Sequence, residues 1–179
     1  MKKLSGKNAF ISGSSRGIGL ACAKALAEQG ANVFLVATNE VLLKEATSEI
    51  QQRSAVQVGF HAVDLSTLEG CLQASNAFNK RFGQADILVN SAGATKGGIF
   101  PEQSDEEMID GFALKFHGTV RLCRQLWPSL KQSKGTVINI VGGAARFPSR
   151  DFMVGGSVNA ALANFSKALA AQGLVDDVN

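Results

Sequence analysis

The chain has 179 residues, of which 45% are hydrophobic and 18% charged, and its formal net charge is +3. This length and composition suit a single domain with a full hydrophobic core, taken here as residues 1–179. The small net charge, with Lys and Arg scattered along the chain, excludes the basic footprint expected for nucleic-acid binding. Three cysteines and two histidines at unrelated spacings form neither a disulfide framework nor a metal-binding motif.

No apolar run approaches the roughly 20 residues that a membrane-spanning helix needs. The first ten residues, MKKLSGKNAF, lack the apolar stretch of a signal peptide. We therefore expect a cytoplasmic location and no membrane partner. We expect Cys22, Cys71 and Cys123 to be buried free thiols.

Short apolar or β-branched runs alternate with longer segments of helical periodicity. This βαβα order predicts an α/β fold, a doubly wound parallel sheet of Rossmann-like type with helices on both faces. The predicted strands are NAFIS, NVFLVA, VQVGFHAV, DILVN and TVINIV, and the predicted helices cover 17–29, 39–53, 67–82, 105–132 and 157–171. The glycine-rich stretch 142–156 is predicted to be irregular, and it follows a strand end, where such sheets bind ligands.

The first predicted strand runs directly into the glycine-rich turn GSSRGIG, and a helix follows at once. Glycine lacks a Cβ and lets the backbone approach a phosphate closely, while a helix start supplies unpaired N–H groups and partial positive charge. The alternative is a plain tight turn, but strand, turn and helix in this order favour phosphate binding. The candidate cofactor-binding residues in the turn are Gly13, Ser15, Arg16, Gly17, Ile18 and Gly19.

The spacing G-x-x-x-G-x-G resembles that of the short-chain dehydrogenase/reductase family, and two later motifs strengthen the resemblance. Asp64 in AVDLS is similar to the family's aspartate after the third strand, which contacts the adenine. The sequence NSAG at 90–93 is similar to the family's N-N-A-G motif. The resemblance runs from about Lys7 to the end of the chain, and it implies a dinucleotide-binding domain. It adds to the candidate cofactor-binding residues Asp64, Leu65, Asn90, Ala92 and Gly93.

The end of the second predicted strand bears on which dinucleotide is bound. It reads VATN at 36–39, with no carboxylate before Glu40. An acidic residue there favours NAD by bonding the ribose 2′-OH, whereas its absence accommodates the 2′-phosphate of NADP. Arg16, Thr38 and Asn39 are candidate contacts to that phosphate. The pattern favours NADP(H), with NAD(H) as the alternative, because Arg16 is equally consistent with a solvated turn residue.

The resemblance further implies a serine after the fifth strand and a Tyr-x-x-x-Lys pair at the start of the next helix, which together carry the family's proton transfer. This chain contains no tyrosine. Alignment of NAALANFSKALA with the family's K-A-A-L helix places Gly142, Gly155 and Asn159 at the serine, tyrosine and lysine positions. Loss of a positioned general acid costs about 10²–10⁴-fold in rate, which excludes the usual family mechanism. The paired glycines at 142–143 and 155–156 predict a roomier pocket or a more flexible wall.

Lys115 is the candidate catalytic residue in place of the missing groups. The resemblance places it, within LKFHG, where the family carries an asparagine. Helical spacing puts it on a largely apolar stripe with Met108, Phe112, Thr119, Leu122 and Leu126. Desolvation on such a face would lower the pKa of its amine and suit it to proton transfer near neutral pH. The alternatives are a snorkelling lysine and a lysine paired with an acidic group at a subunit interface.

Other polar residues carry weaker signals. The candidate substrate contacts are Ser91, Arg146, Ser149, Arg150 and Asp151, although charged loop residues are most often only solvated. His61 and His117 have no partner at a motif spacing, so neither is predicted to be catalytic or metal-binding.

Relatives in the family continue with two further strands and a P-G motif after the point where this chain ends in LVDDVN. The resemblance therefore predicts a sheet that is incomplete at its C-terminal side. The two helices that pair subunits in the family correspond to 105–132 and 157–171, and their small and apolar faces predict a homodimer or homotetramer.

Two functional hypotheses follow from the sequence. The first is an oxidoreductase that binds NADP(H) or NAD(H) and transfers hydride to or from a small carbonyl or alcohol, with Lys115 as the acid. The second is a catalytically inactive nucleotide-binding subunit or cofactor sensor that supports a partner. A purely structural domain without nucleotide ranks third, because it gives no reason for three cofactor-type motifs in order.

Overall fold

The computed structural model describes residues 3–93 and 95–179. Its strands are β1 (Asn8–Ser12), β2 (Asn32–Ala37), β3 (Val58–Ala62), β4 (Ile87–Asn90) and β5 (Thr136–Asn139). They form one parallel sheet in the order β3-β2-β1-β4-β5. The predicted α/β fold with a parallel, Rossmann-like sheet is thereby confirmed. Strand order reverses between β1 and β4, and ligands bind such sheets at the carboxyl ends of the strands at this point.

The helices follow the predicted order, with two differences in extent. They are α1 (Gly17–Glu28), α2 (Glu40–Arg53), α3 (Leu68–Phe82), α4 (Asp105–Phe112), α5 (Thr119–Ser133) and α6 (Met153–Asp176). The predicted helix 105–132 is interrupted by a π-helical turn, Ala113–Gly118. The predicted helix 157–171 is longer at both ends, so the second glycine pair lies inside α6 and not in a loop.

The alternation of side chains along the strands builds a separate apolar core on each face of the sheet. In β1, Ala9 and Ile11 belong to a core with α1 and α2, whereas Phe10 belongs to a core with α3 and α5. Successive strand residues point to opposite faces, and both faces are covered, so the strands are hydrophobic throughout. Phe165 and Leu169 of α6 pack against the second core.

The cysteines are free, as predicted, but they differ in exposure. Cys71 and Cys123 are buried, whereas Cys22 is only partly buried, so the prediction of three buried thiols is wrong at Cys22. Burial raises the pKa of Cys71 to about 11 and that of Cys123 to about 12, which makes both thiols unreactive near neutral pH. Across residues 3–93 and 95–179, no helix combines the length and apolar character needed to cross a membrane.

Candidate functional site

A cavity of about 460 Å³ lies where the carboxyl ends of the strands meet, beside the reversal in strand order. Residues that directly follow each of the five strands contribute to its wall. The predicted cofactor-binding residues that line the cavity are Gly13, Ser15, Arg16, Gly17, Ile18, Gly19, Thr38, Asp64, Leu65, Ala92 and Gly93. Lys115 and Ser91 line the same cavity. Three motifs that are far apart in the sequence therefore meet at one site.

The glycine-rich turn is shaped by two glycines with different roles. Gly13 has a φ of +64°, and a Cβ there would lie 2.7 Å from both Cα and N of Ala92, so a side chain would push the first and fourth strand ends apart. Gly17 has a φ of +60°, but no heavy atom lies within 4 Å of its Cβ position. The backbone at Gly17 therefore borders open space, which a phosphate group could occupy.

The start of α1 is built to receive an anion. Arg16 is the N-cap residue, and within the described chain no side chain caps the first turn. By contrast, the next two helices each start with a capping side chain, Asn39 for α2 and Thr67 for α3. Uncapped N–H groups at a helix start carry partial positive charge and bind phosphate.

Two serines that the sequence analysis did not single out hold the turn in place. Ser12 Oγ accepts hydrogen bonds from the backbone N–H groups of Ser91 and Ala92, both at 3.1 Å. Ser14 Oγ donates to the carbonyl of Ile11 and accepts from Val36 N, both at 2.8 Å. Both hydroxyls are buried. In the sequence, these contacts are indicated by the small polar residues that flank Gly13 in ISGSS.

Two predicted cofactor-binding residues lie outside the cavity wall. Asn39 Oδ1 accepts from Leu42 N at 3.0 Å, so this side chain caps α2. Asn90 is buried within the sheet, where its amide donates to Asn139 Oδ1 at 2.9 Å. The side chain of this first residue of the NSAG motif lies on the face of the sheet that α5 covers, against Asn139 and Cys123, and does not reach the cavity wall.

The wall beside β2 lacks a carboxylate that could bond a ribose 2′-OH. Arg16 and Thr38 are exposed and line the cavity there. Glu40 forms an ion pair with Lys44 at 2.8 Å, and this lysine lowers the pKa of the Glu40 carboxyl. Asp64, the one acidic residue among the described cavity-lining residues, accepts from Ser66 N and Oγ at 2.8 Å each.

Lys115 lies in the π-helical turn, and its side chain runs along the cavity wall. A Cβ on Gly93 would lie 3.0 Å from Lys115 Cδ, so the stem of the lysine lies directly against this glycine. The side chain is partly buried, and desolvation lowers the pKa of its amine. Among the described residues, none hydrogen-bonds to or forms an ion pair with the side-chain amine of Lys115. Within this part of the chain, Lys115 is therefore a cation without a counter-charge on the wall of a cavity.

The predicted apolar stripe around Lys115 is only partly present. Thr119, Leu122 and Leu126 are buried, but Met108 is 39% exposed. The π-helical turn adds a residue to the helical repeat, so positions before and after it do not share one face. π-helical turns are frequent at functional sites.

Gly142, Gly155 and Asn159, at the positions of the missing catalytic groups, form a closed cluster in which the Asn159 amide bonds to both glycines. Asn159 Oδ1 accepts from Gly142 N at 2.6 Å, and its Nδ2 donates to the carbonyl of Gly155 at 2.7 Å. A Cβ on Gly155 would collide with the far edge of the Phe152 ring. The expected roomier pocket is therefore wrong at this position, because the Phe152 ring occupies the space of the missing side chain.

The remaining polar candidates do not gather at this cavity. Four of them are exposed and do not line the cavity: Arg146, Ser149, Arg150 and Asp151. Asp151 accepts from Gly98 N through its carbonyl at 3.0 Å, which ties this loop to the segment after β4. His117 is exposed, and the described residues contain no cluster of three or more side chains that could hold a metal ion.

Comparisons with known proteins identify a family and several similar enzymes. A family model described as short chain dehydrogenase matches residues 7–179. The very-long-chain 3-oxoacyl-CoA reductase of Laccaria bicolor is 30% identical over 175 residues, which cover 95% of this chain and 51% of that protein. The 3-oxoacyl-[acyl-carrier-protein] reductase of Chlamydia muridarum is 30% identical over 167 residues, which cover 92% of this chain and 66% of that protein.

Among solved structures, the L-sorbose reductase from Gluconobacter frateurii in complex with NADPH and L-sorbose superposes with a TM-score of 0.96. It is 36% identical, and the match covers 99% of this chain and 68% of that one. The chain thus spans about half to two thirds of the length of the curated relatives named above.

Proposed function

The chain belongs to the short-chain dehydrogenase/reductase family, and from this membership we propose that it is an oxidoreductase that binds NADP(H) and acts on a small carbonyl or alcohol, with Lys115 as its proton donor and acceptor. The observation that carries the proposal is the partly buried amine of Lys115, which has no partner among residues 3–93 and 95–179 and lies on the same cavity wall as the glycine-rich turn. The matched relatives are reductases, and the sorbose reductase binds NADPH.

The residues present fit a dinucleotide. The pyrophosphate would lie at the uncapped start of α1, beside the open space at Gly17. The adenine half would lie between Asp64 and the end of β2, where Arg16 and Thr38 would contact a 2′-phosphate. NADP(H) is favoured over NAD(H) because Glu40 is held by Lys44 and does not line the cavity.

The nicotinamide of such a cofactor supplies or accepts hydride when it is bound. The chain's own contribution is then to hold the substrate oxygen and to move a proton at that oxygen. Neither Gly142 nor Gly155 has a side chain, and the Asn159 amide is occupied by two hydrogen bonds, so none of these residues can transfer the proton. Lys115 can, because desolvation brings the pKa of its amine closer to neutral pH.

NADPH oxidation in the presence of L-sorbose or a short 3-oxoacyl thioester tests this proposal. We expect turnover of at least one of these carbonyl substrates by the unmodified chain. We expect Lys115→Met to lower the rate by about 10²–10⁴-fold, the contribution of a positioned general acid. Lys167→Met, at an exposed lysine of α6, is the matched control and leaves the rate unchanged. Equal rates for Lys115→Met and the control would contradict the role of Lys115.

A second candidate function is a nucleotide-binding subunit without turnover. The closed cluster around Asn159 favours it, because the polar atoms that face the usual catalytic positions are already satisfied within the chain. NADPH binding without oxidation of NADPH by either substrate would support this second function over the first.

We further propose that the chain associates with a second copy through α5 and α6. A cavity of about 380 Å³ lies between these helices and is bordered by Trp127, Pro128, Phe165 and Leu169. Aromatic side chains in such a groove are typical of subunit contacts. Light scattering at micromolar concentration should give the mass of a dimer or tetramer, and a monomer mass would contradict the proposal.

A further inference from the structure

Asn159 is buried in the first half of α6, with 3% of its surface exposed. Its two amide atoms serve different segments. The oxygen accepts from Gly142 N, which follows β5, and the nitrogen donates to the Gly155 carbonyl in the first turn of α6. Buried polar side chains are stable when their donors and acceptors are paired, and here both sides of the amide are paired.

A Cβ would meet close neighbours at both glycines. A Cβ on Gly142 would lie 3.0 Å from Asn159 Oδ1, inside ordinary contact distance. At Gly155 the space that a Cβ needs is filled by the Phe152 ring. The same ring lies 3.7 Å from the Cβ position of Gly97, so it is enclosed between α6 and the segment after β4. Asn159, the two glycines and Phe152 thus form one packed unit, called here the Asn159 clamp.

The clamp follows, in the chain, the wall of the cavity that Lys115 lines, without itself lining it. Ile140, two residues before Gly142, lines that cavity. Two residues of extended chain span at most about 7 Å, so the Gly142 backbone lies close to the cavity wall. Ile140, just past the end of β5, donates from its N–H to the Asn90 carbonyl at 2.9 Å, whereas the Gly142 N–H donates to the Asn159 side chain. The Gly142 carbonyl accepts from Ala145 N at 3.1 Å, so Asn159 is the side chain that holds the amide side of this segment.

We propose that Asn159 is a positioning residue, which fixes the backbone at Gly142, next to the cavity wall at Ile140, and that the nicotinamide end of the bound dinucleotide and its substrate would lie beside this segment. This inference rests on the proposed function for its ligand, but the clamp is a property of the free protein. An amide is the side chain that this role requires, because it offers one acceptor and one donor at once. A lysine, which only donates, would leave the Gly142 N–H without its acceptor.

Amide hydrogen exchange of the nucleotide-free 179-residue chain, followed by NMR, tests the clamp. In Asn159→Ala we expect exchange at the Gly142 amide to become about tenfold faster, the effect of losing one buried hydrogen bond. Exchange at Ile140 should stay unchanged, because its bond to Asn90 is intact. Asn159→Asp keeps an oxygen for Gly142 N and should retain its protection. Asn164→Ala, at an exposed asparagine of the same helix, is the matched control.

The fluorescence of bound NADPH tests whether the clamp positions a ligand, because the emission reports how firmly the nicotinamide ring is held. We expect Asn159→Ala to bind NADPH with the Kd of the unmodified chain but to lose at least half of the fluorescence enhancement. A purely structural role would leave the enhancement unchanged. Unchanged exchange at Gly142, or unchanged enhancement, would overturn the proposal.

The two proposals fail in distinguishable ways. If NADPH does not bind the unmodified chain, the proposed function fails and the positioning role fails with it, whatever the exchange rates show. If NADPH binds but Gly142 exchanges equally in the Asn159→Ala and Asn164→Ala variants, only the inference about Asn159 is overturned.

Discussion

Gly155 and Gly156 are adjacent in α6, and the structure predicts opposite effects when each is replaced by alanine. A Cβ on Gly156 has its nearest neighbour, the Ala144 carbonyl oxygen, at 3.5 Å, which is an ordinary contact. A Cβ on Gly155 would overlap the Phe152 ring. The comparison is therefore between two helical glycines that differ only in the space around them.

The expected magnitudes follow from helix propensity and from packing. Replacing a helical glycine by alanine stabilises by about 0.5–1 kcal/mol, which should apply in full to Gly156→Ala. In Gly155→Ala the ring must leave its site, and overpacking of this kind costs about 1–3 kcal/mol. Gly155→Ala should therefore lower the free energy of unfolding by about 1 kcal/mol, which for a chain of this size lowers Tm by about 2–4 °C.

Thermal unfolding followed by circular dichroism measures both variants, and Phe152→Ala completes a double-mutant cycle. Without the ring, Gly155→Ala should become stabilising, with a coupling free energy of about 1–3 kcal/mol between the two sites. Equal increases in Tm for Gly155→Ala and Gly156→Ala would refute the reasoning, because they would mean that the ring does not occupy the space beside Gly155.

Three further predictions concern charge. Desolvation lowers the pKa of Lys115 in the folded chain, so the unfolded chain binds more protons. The free energy of unfolding should therefore rise as pH rises toward the ordinary lysine pKa of 10.5. Urea titrations at successive pH values should show this rise in the unmodified chain and not in Lys115→Met. Asp176 accepts hydrogen bonds from Lys131, Gln172 and Trp127, which hold its pKa at about 2. The stability that its carboxylate contributes should therefore be lost as pH falls from about 4 toward 2. Asp176→Asn should not show this loss. Arg16→Ala should weaken NADPH binding about tenfold, because one charge-assisted contact to the 2′-phosphate is lost. NADH has no 2′-phosphate, so calorimetric titrations should show unchanged NADH binding.

The fold could be predicted because each strand and helix has a strong local pattern. The interruption at Ala113–Gly118 could not, since hydrophobic spacing does not reveal one added residue in a helix. Within it, a Cβ on Gly118 would lie 2.7 Å from the Leu65 carbonyl oxygen, so the helix passes very close to the segment after β3, a tertiary contact that spacing does not reveal either. The early start of α6 was missed because two glycines favour a loop in isolation, whereas here Phe152 and Asn159 hold them in a helix.

The candidate site could be predicted at its phosphate-binding end and less well elsewhere. Glycine spacing identifies the turn because few other sequences allow the backbone of Gly13 to approach that of Ala92. Sequence order alone did not show that Asn39 caps a helix or that Asn90 bonds to the neighbouring strand and not to the cavity. The pairing of Asn159 with Gly142 joins residues 17 positions apart, a contact that only the folded chain brings together.

We propose that Lys115 is a cation in a dinucleotide site, with no counter-charge among the described residues. Calorimetric titration with NADPH in two buffers of different ionisation enthalpy, on the unmodified chain and on Lys115→Met, tests this assignment. An anionic ligand raises the pKa of a nearby amine, so we predict micromolar binding with proton uptake by the unmodified chain and binding without proton uptake by the variant. Absence of NADPH binding, or the same proton uptake by both proteins, would overturn the assignment.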